Sequence, residues 1–347
     1  MLDKAQDKPK PPELVEFEKL VASVARDQKP AKVKLLNEIF KAALKLAGDN
    51  PGTLNLKISA SVLKELRYSF KMFSQHRHVP KITMFGSARV PADTKLYAVA
   101  KDFASQAVSR RYMVITGGGP GIMAAGNEGA SGNNGFGLNI RLPLEQNPNP
   151  FVGNAERLIH YKYFFTRKLF LVKEASAFAF FPGGFGTLDE AFEVLTLLQT
   201  GKSTLIPIVM LEPKGYGFWN QFKNFVEKSL IRGKFINADD RSLYRVFHST
   251  RAAMDHIEHF YSNYQSMRFV KDTAVIRLKR KLRSTTIKQL TKRFTAISLD
   301  GQFQMARPLA EEQNEPEYSH LPRLTFRFDK QSFGALRRLV DFINDHS

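Results

Sequence analysis

The chain contains no cysteine. Disulfides, thiolate metal sites and cysteine nucleophiles are therefore excluded, and the composition fits a reducing cytoplasm, where the protein is expected. No apolar run reaches about 18 residues, the length a membrane-spanning helix needs, so no membrane partner is expected. The first dozen residues, MLDKAQDKPKPP, are polar and proline-rich and read as a loose terminus rather than a targeting signal. No serine stands in a G-x-S-x-G frame, which removes the nucleophile elbow of that hydrolase class. Of the eight histidines only His76/His78 and His256/His259 lie close together, and neither pair completes a metal set.

What is abundant is positive charge. The 347 residues carry a net +19, divided evenly: residues 1–80 carry +6, 81–261 carry +6 and 262–347 carry +7. One dense run, Arg268 to Arg293, holds ten basic residues and a single acid, Asp272. Such a balance favours anionic ligands: nucleotides, nucleic acid or acidic partners. With 43% hydrophobic residues the chain has ample apolar content for more than one domain.

Three sections follow from the periodicity. Residues 1–78 are helical: VKLLNEIFKAALKLAG has apolar residues at three- and four-residue spacing and stops at Gly48, and SASVLKELRYSFKMF offers a second amphipathic helix with a serine to cap it. Residues 79–262 alternate short apolar runs (KITMF, YMVIT, FGLNI, AFAFF, LIPIVML) with helical stretches, the pattern of a parallel sheet covered by helices on both faces. Residues 263–347 read as a small βαββα module: TAVIRLKR a strand, STTIKQLTKRF a helix, AISLDGQFQMA a hairpin turning at Asp300-Gly301, LPRLTFRFD a strand, and a closing helix capped by Ser332.

In parallel α/β sheets, ligands bind beyond the carboxyl ends of the strands. The glycines stand there: FGSAR with Gly86 and Ser87, TGGGPGIM with Gly118 and Gly119, and PGGFGT with Gly183, Gly184 and Gly186. A dinucleotide site would need an acid about 20 residues after its glycines, at the end of the next strand. That strand is FGLNIRL, with Asn139 and Arg141, so NAD is not expected. TGKST (200–204) imitates a phosphate-binding P-loop, but Thr196 stands where the first glycine belongs and a helix precedes it, so it reads as a helix stop at Gly201.

The segment PGGFGTLDEAFEVLTLLQTG (182–201) is the most informative. Its glycines open the backbone at a helix start suited to phosphate, Thr187 is placed to cap, and Glu190 and Glu193 share one helical face. Acids beside a phosphate cradle conflict unless they serve a neighbouring part of the ligand, as a sugar beside the carboxylates would allow. Upstream, YKYFFTRKLFLVKEA puts Arg167 and Lys168 in an otherwise apolar helix, either snorkelling to the surface or facing the same cleft.

Taken together, Arg167-Lys168 and Pro182 to Glu190 resemble the signature of the LONELY GUY-type phosphoribohydrolase family, an Arg-Lys helix followed by PGGxGTxxE. The resemblance spans about 81–262, with FGSAR, TGGGPGIM, GLNIRLPLEQNPNP and LTLLQTGK adding to it. Ala124 departs from it, standing where longer bacterial members often carry glutamate. The resemblance implies a Rossmann-like fold, usually dimeric, that hydrolyses the N-glycosidic bond of nucleoside 5′-monophosphates without metal or organic cofactor, AMP and cytokinin nucleotides being common substrates. It implies Arg167 and Glu190 as the catalytic pair, Gly183 to Thr187 on the phosphate, Lys168 and Thr196 assisting, and Glu145 touching base or ribose. A homo-oligomer and an anionic nucleotide effector at the basic terminal regions are further expectations. Two other readings stay open: a regulatory protein that senses a nucleotide without turnover, and nucleic-acid binding through the run from Arg268 to Arg293.

Overall fold

The computed structural model describes residues 12–141, 147–152 and 157–346. The chain divides after Lys64 into two compact units. The first holds helices α1 (Pro12–Val24) and α2 (Pro30–Gly48) and the opening of α3 (Thr53–Ser74). Pro30 at the first position of α2 costs no hydrogen bond, because that N–H has no partner within a helix. Phe17 stacks on Phe40 at 5.4 Å between ring centres, joining α1 to α2. Helix α3 begins several residues before its expected serine cap, so Ser59 and Ser61 lie inside it.

The second unit contains two sheets. The larger has seven parallel strands: β1 (Lys81–Phe85), β2 (Met113–Thr116), β3 (Gly135–Ile140), β4 (Leu158–Tyr161), β5 (Ala177–Phe180), β6 (Ile208–Leu211) and β7 (Arg245–Phe247). Their order is β4-β3-β2-β1-β5-β6-β7, an α/β Rossmann-like sheet whose winding reverses between β1 and β5. The five expected strands are present. The two edge strands β4 (LIHY) and β7 (RVF) carry polar residues and offer no unbroken apolar run, so they gave no strand signal.

Helices α4 (Lys95–Ser109), α5 (Ile122–Ala130), α6 (Phe164–Lys173), α7 (Phe185–Gln199), α8 (Phe218–Phe225) and α9 (Thr250–Phe260) cover the sheet. Alternate residues of each strand feed different cores, as the two-residue period requires. Ile82 and Met84 join Phe103, Val114, Ala179 and Met254 on one face. Phe85, Ile115, Phe178 and Met210 join Phe73, Phe136 and Phe170 on the other. The buried Lys81 at the start of β1 donates to the carbonyls of His76 (2.7 Å) and Val79 (3.0 Å), so its charge is solvated by backbone.

The second core runs on without a break into the smaller sheet. That sheet is antiparallel, in the order β10-β11-β9-β8, from β8 (Tyr264–Val270), β9 (Thr273–Leu278), β10 (Gln304–Ala306) and β11 (Arg323–Arg327), with α10 (Ser284–Phe294) and α11 (Phe333–Asp345). The segment is therefore ββαββα, with β8 added before the expected first strand. The expected hairpin at Asp300-Gly301 is a turn without a ladder of its own. Both its flanks pair with one neighbouring segment instead: Ser298 bridges Phe328, and Met305 pairs with Leu324. Ser332 stands at the start of α11 but does not cap it, because its hydroxyl donates to Asp329 Oδ2 at 2.6 Å.

The acidic loop EEQNEPE folds into two short 3-10 turns that bring Glu312 into the small sheet. There Glu312 accepts from Arg277 Nε (2.8 Å) and Arg323 Nε (3.2 Å), with all three side chains almost fully buried. Arg268 pairs with Glu315 at 3.1 Å. Two members of the dense basic run are thus structural ion-pair partners.

Candidate active site

The loops that leave β1, β2 and β5 converge at the reversal point of the sheet. They enclose a cleft of about 800 Å³ lined by Gly86, Ser87, Gly117, Arg167, Thr187 and Glu190, among others. Ser87 N–H donates to the Pro182 carbonyl at 3.2 Å, which ties the first loop to the third. Gly183 has to be glycine, since a Cβ there would lie 2.2 Å from Thr187 Oγ1 and 2.8 Å from the Ser87 nitrogen.

Helix α7 starts at this junction. Its cap residue is Gly184, which has no side chain to satisfy the first amides. Thr187 therefore sits inside the first turn and is not the cap, and its N–H donates to the Gly184 carbonyl at 3.1 Å. With Gly184 as the cap, Asp189 and Glu190 lie beyond the first turn and do not offset the helix dipole at its start. A Cβ on Gly184 or Gly186 would meet nothing within 4 Å, so this end of α7 is open.

Helix α6 supplies the opposing charges. Arg167 donates from Nε to the Leu138 carbonyl at 2.9 Å and lies against Gly117, whose hypothetical Cβ would come 2.3 Å from Arg167 Nη2. Only a glycine leaves room for that guanidinium. Burial pulls the pKa of Arg167 down, and the nearby Glu190 opposes this. Lys168 Nζ reaches Glu193 Oε2 at 2.6 Å and Asp189 Oδ2 at 2.8 Å. Burial works against its charge, but these two hydrogen bonds prevail and raise its pKa.

Glu190 is the unusual group. It is only 8% exposed, its Oε1 lies 3.8 Å from Lys168 Nζ, and its buried Oε2 has no hydrogen-bond partner. Burial pushes its pKa up to about 7, against the pull of Lys168 and Arg167. A carboxyl poised there exchanges its proton near neutral pH, as a general acid or base requires.

The first turn of α6 is held from behind. Glu65 accepts from the Lys162 N–H at 2.8 Å and from the Thr166 hydroxyl, and Thr166 also donates to the Tyr163 carbonyl. Nothing in the sequence pairs Glu65 with residues about a hundred positions away. It emerged only from the fold, as did the cleft residues Arg89, Met123, Phe164 and Phe185 and the Lys168 partner Asp189.

Gly86, Ser87, Gly184, Gly186, Thr187, Arg167 and Glu190 all line this cleft, and Lys168 and Glu193 stand behind Glu190. Gly118 and Gly119 instead turn the second loop: their carbonyls accept from Asn149 N (2.9 Å) and Asn149 Nδ2 (3.0 Å). Thr196, further along α7, lines a separate apolar cavity of about 80 Å³ with Gln199 and Asp240. Glu145 lies outside the described residues. Among the described residues no helix is long and apolar enough to cross a membrane, and no group of three or more His, Asp or Glu is arranged to hold a metal ion.

The sheet and this cleft define an α/β protein with Arg167 and Glu190 lining one cleft at the topological reversal point. Residues 120–257 match the family profile described as "Possible lysine decarboxylase". The chain is 27% identical over 165 residues to cytokinin riboside 5′-monophosphate phosphoribohydrolase LOG2 of Arabidopsis thaliana, covering 47% of this chain and 75% of that protein. It is 28% identical over 173 residues to the probable cytokinin riboside 5′-monophosphate phosphoribohydrolase LOG4 of Oryza sativa subsp. japonica, covering 48% and 71%. Among solved structures it is similar to the molybdenum cofactor carrier protein MCP from Chlamydomonas reinhardtii, at 20% identity and a TM-score of 0.36, covering 52% of this chain and 97% of that one. Over this central region the chain is similar to the LONELY GUY-type family.

Proposed function

We propose that the protein hydrolyses the N-glycosidic bond of nucleoside 5′-monophosphates, releasing the free base and ribose 5-phosphate. The observation that carries this is Glu190: a buried carboxyl with one unpartnered oxygen and a pKa of about 7, on the wall of a cleft that also contains the open start of α7. Helix-start amides suit a phosphate, and a sugar attached to it would extend along the cleft toward Glu190. Cleavage passes through an oxocarbenium-like state that a carboxylate next to the anomeric carbon stabilises. The water oxygen bonds to that carbon as the carbon–nitrogen bond breaks. The bonding pair leaves with the base, and the water proton passes to Glu190 and on to the departing base. Arg167, beside Glu190, favours its ionised form and adds positive charge for the phosphate.

Adenine nucleotides, with or without a cytokinin side chain, are the first substrates to test, because the plant relatives act on cytokinin riboside 5′-monophosphates. The test is incubation with a panel of nucleoside monophosphates and chromatography for free base. Base released from a monophosphate but not from its nucleoside is the expected result. Absence of free base from every monophosphate would overturn the assignment.

A further inference from the structure

A second cleft, of about 670 Å³, opens beside the first and shares Ser87 and Arg89 with it. Its walls come from the loop after β1, the start of α4, Pro182-Gly183 and the loop after β6. Three cations line it, Arg89, Lys95 and Lys214, and no Asp or Glu does. All three are exposed, and no described carboxylate pairs with any of them. The start of α4 contributes to the same wall, with Thr94 accepting from Tyr97 N–H at 3.2 Å and the amides of Lys95 and Leu96 ahead of it. A concave surface with three cations that no described carboxylate pairs, at the reversal point of a parallel sheet, is built for an anion.

The position of this cleft says which anion. Gly183 lines the second cleft while Gly184 to Thr187 line the first, so the start of α7 is the boundary between them. A 5′-phosphate held at that boundary with its sugar toward Glu190 would border the cleft that Lys95 and Lys214 line. We infer that the second cleft binds phosphate lying beyond the 5′-phosphate, so that the ligands of this protein include nucleoside 5′-diphosphates. This rests on the phosphate position proposed above. The same chemistry has two sources, a distal phosphate on the nucleotide itself or a separate inorganic phosphate beside a monophosphate.

The test is calorimetric titration of the full chain in a Glu190→Gln background, so that no ligand is consumed, with and without Lys95→Glu and Lys214→Glu. Both lysines are exposed on the surface, so the variant should keep its melting temperature, and Lys95→Gln/Lys214→Gln serves as a milder second variant. If the distal phosphate belongs to the nucleotide, adenosine 5′-diphosphate binds at least about tenfold more tightly than the monophosphate, the worth of one charged hydrogen bond, and both lysine variants erase the difference. If the source is separate, inorganic phosphate adds a second equivalent to the monophosphate-saturated protein, and the variants abolish it. Equal affinities for diphosphate and monophosphate, with no lysine-dependent phosphate equivalent, would overturn the inference. Lysine-dependent phosphate binding in a protein that binds no monophosphate would sustain an anion cleft while removing the nucleosidase assignment.

Discussion

Lys168 Nζ stands 2.6 Å from Glu193 Oε2 but 3.8 Å from Glu190 Oε1. The lysine is thus held by Glu193 and Asp189 and gives Glu190 only a distant attraction, which its burial outweighs. This division of one cation among three carboxylates leaves Glu190 titrating near neutrality. Glu190→Gln should lower turnover about a hundredfold or more, since removing a preorganised charged group typically costs about 3–4 kcal/mol in the transition state. Steady-state rates on a nucleoside monophosphate check this, and near-wild-type turnover would remove Glu190 from the chemistry.

The same burial has a thermodynamic signature. The folded pKa of Glu190 lies above its unfolded value, so its contribution is fully present below about pH 4.5 and is lost as pH rises through about 7. Above that, the wild type bears a penalty on the order of 3 kcal/mol, which the neutral glutamine does not. Glu190→Gln should therefore raise the melting temperature at pH 8 more than at pH 5. An equal shift at both would show that the carboxyl is not held near neutrality. In the active enzyme, a Glu190 acting as base makes kcat/KM rise with pH through about 7. Lys168→Gln removes the positive charge that most opposes the effect of burial on Glu190 and should move that limb to higher pH.

Glu65 holds the start of α6 through the Lys162 N–H and the Thr166 hydroxyl, one residue before Arg167. It touches no cleft residue directly, so its effect is positional. Glu65→Gln retains an acceptor oxygen and should leave kcat within a few-fold, whereas Glu65→Ala frees the N–H and hydroxyl, shifts Arg167 and lowers kcat/KM by about tenfold or more. Comparing the two variants separates position from charge. Equal losses in both would mean that the negative charge itself matters.

Much of this fold is legible in the sequence. The five apolar runs became five adjacent parallel strands, because strands buried on both faces carry an unbroken hydrophobic signal. Arg167 and Glu190 could be brought together only through the resemblance of the Arg-Lys helix and PGGxGTxxE to a family signature, since the residues alone left Arg167 either at the surface or facing the cleft. Gly117 could not be distinguished from its neighbours Gly118 and Gly119, since only the path of the Arg167 side chain assigns it the guanidinium contact. Thr196 shared the helical register of Glu190 and Glu193 approximately but not spatially: further along α7 the helix has left the cleft. The hairpin at Asp300-Gly301 had the right turn chemistry, yet its flanks pair with a segment further on, Met305 with Leu324, 19 residues away, and Ser298 with Phe328, 30 residues away.

Gly117 and Gly183 therefore give separable outcomes. Gly117→Ala places a methyl 2.3 Å from Arg167 Nη2 and 2.6 Å from Met123 Sδ, both side-chain atoms, and should lower turnover by displacing the guanidinium without a backbone clash. Gly183→Ala meets the backbone nitrogen of Ser87 as well as Thr187, so it disturbs the junction of two loops and should also lower the melting temperature. Nucleotide affinity and thermal unfolding, measured on both, check the distinction. Equal thermal losses would contradict it.

Acid sensitivity should come in two windows from the far side of the second unit. His256 is buried against Arg337, whose Nη2 lies 3.3 Å from its Nε2, and burial followed by that positive charge pushes its pKa down to about 3. A lowered histidine favours the folded state above its unfolded pKa of about 6.5, so stability falls as pH drops from there toward 3. Burial alone would raise Glu312, but hydrogen bonds from Arg323, the Leu309 amide and Arg277 prevail and hold it at about 2. Its contribution is present above about pH 4.5 and lost as pH falls through 2, on the order of 3 kcal/mol in all. Denaturant midpoints measured from pH 7 to 3 should thus fall first below pH 6.5 and more steeply below 4.5. His256→Gln should flatten the upper window only. Arg323→Met strands the buried Glu312 with a single arginine and should cost about 3–5 kcal/mol near pH 7 while flattening the lower window. A single unchanged acid transition in both variants would place the sensitive groups elsewhere.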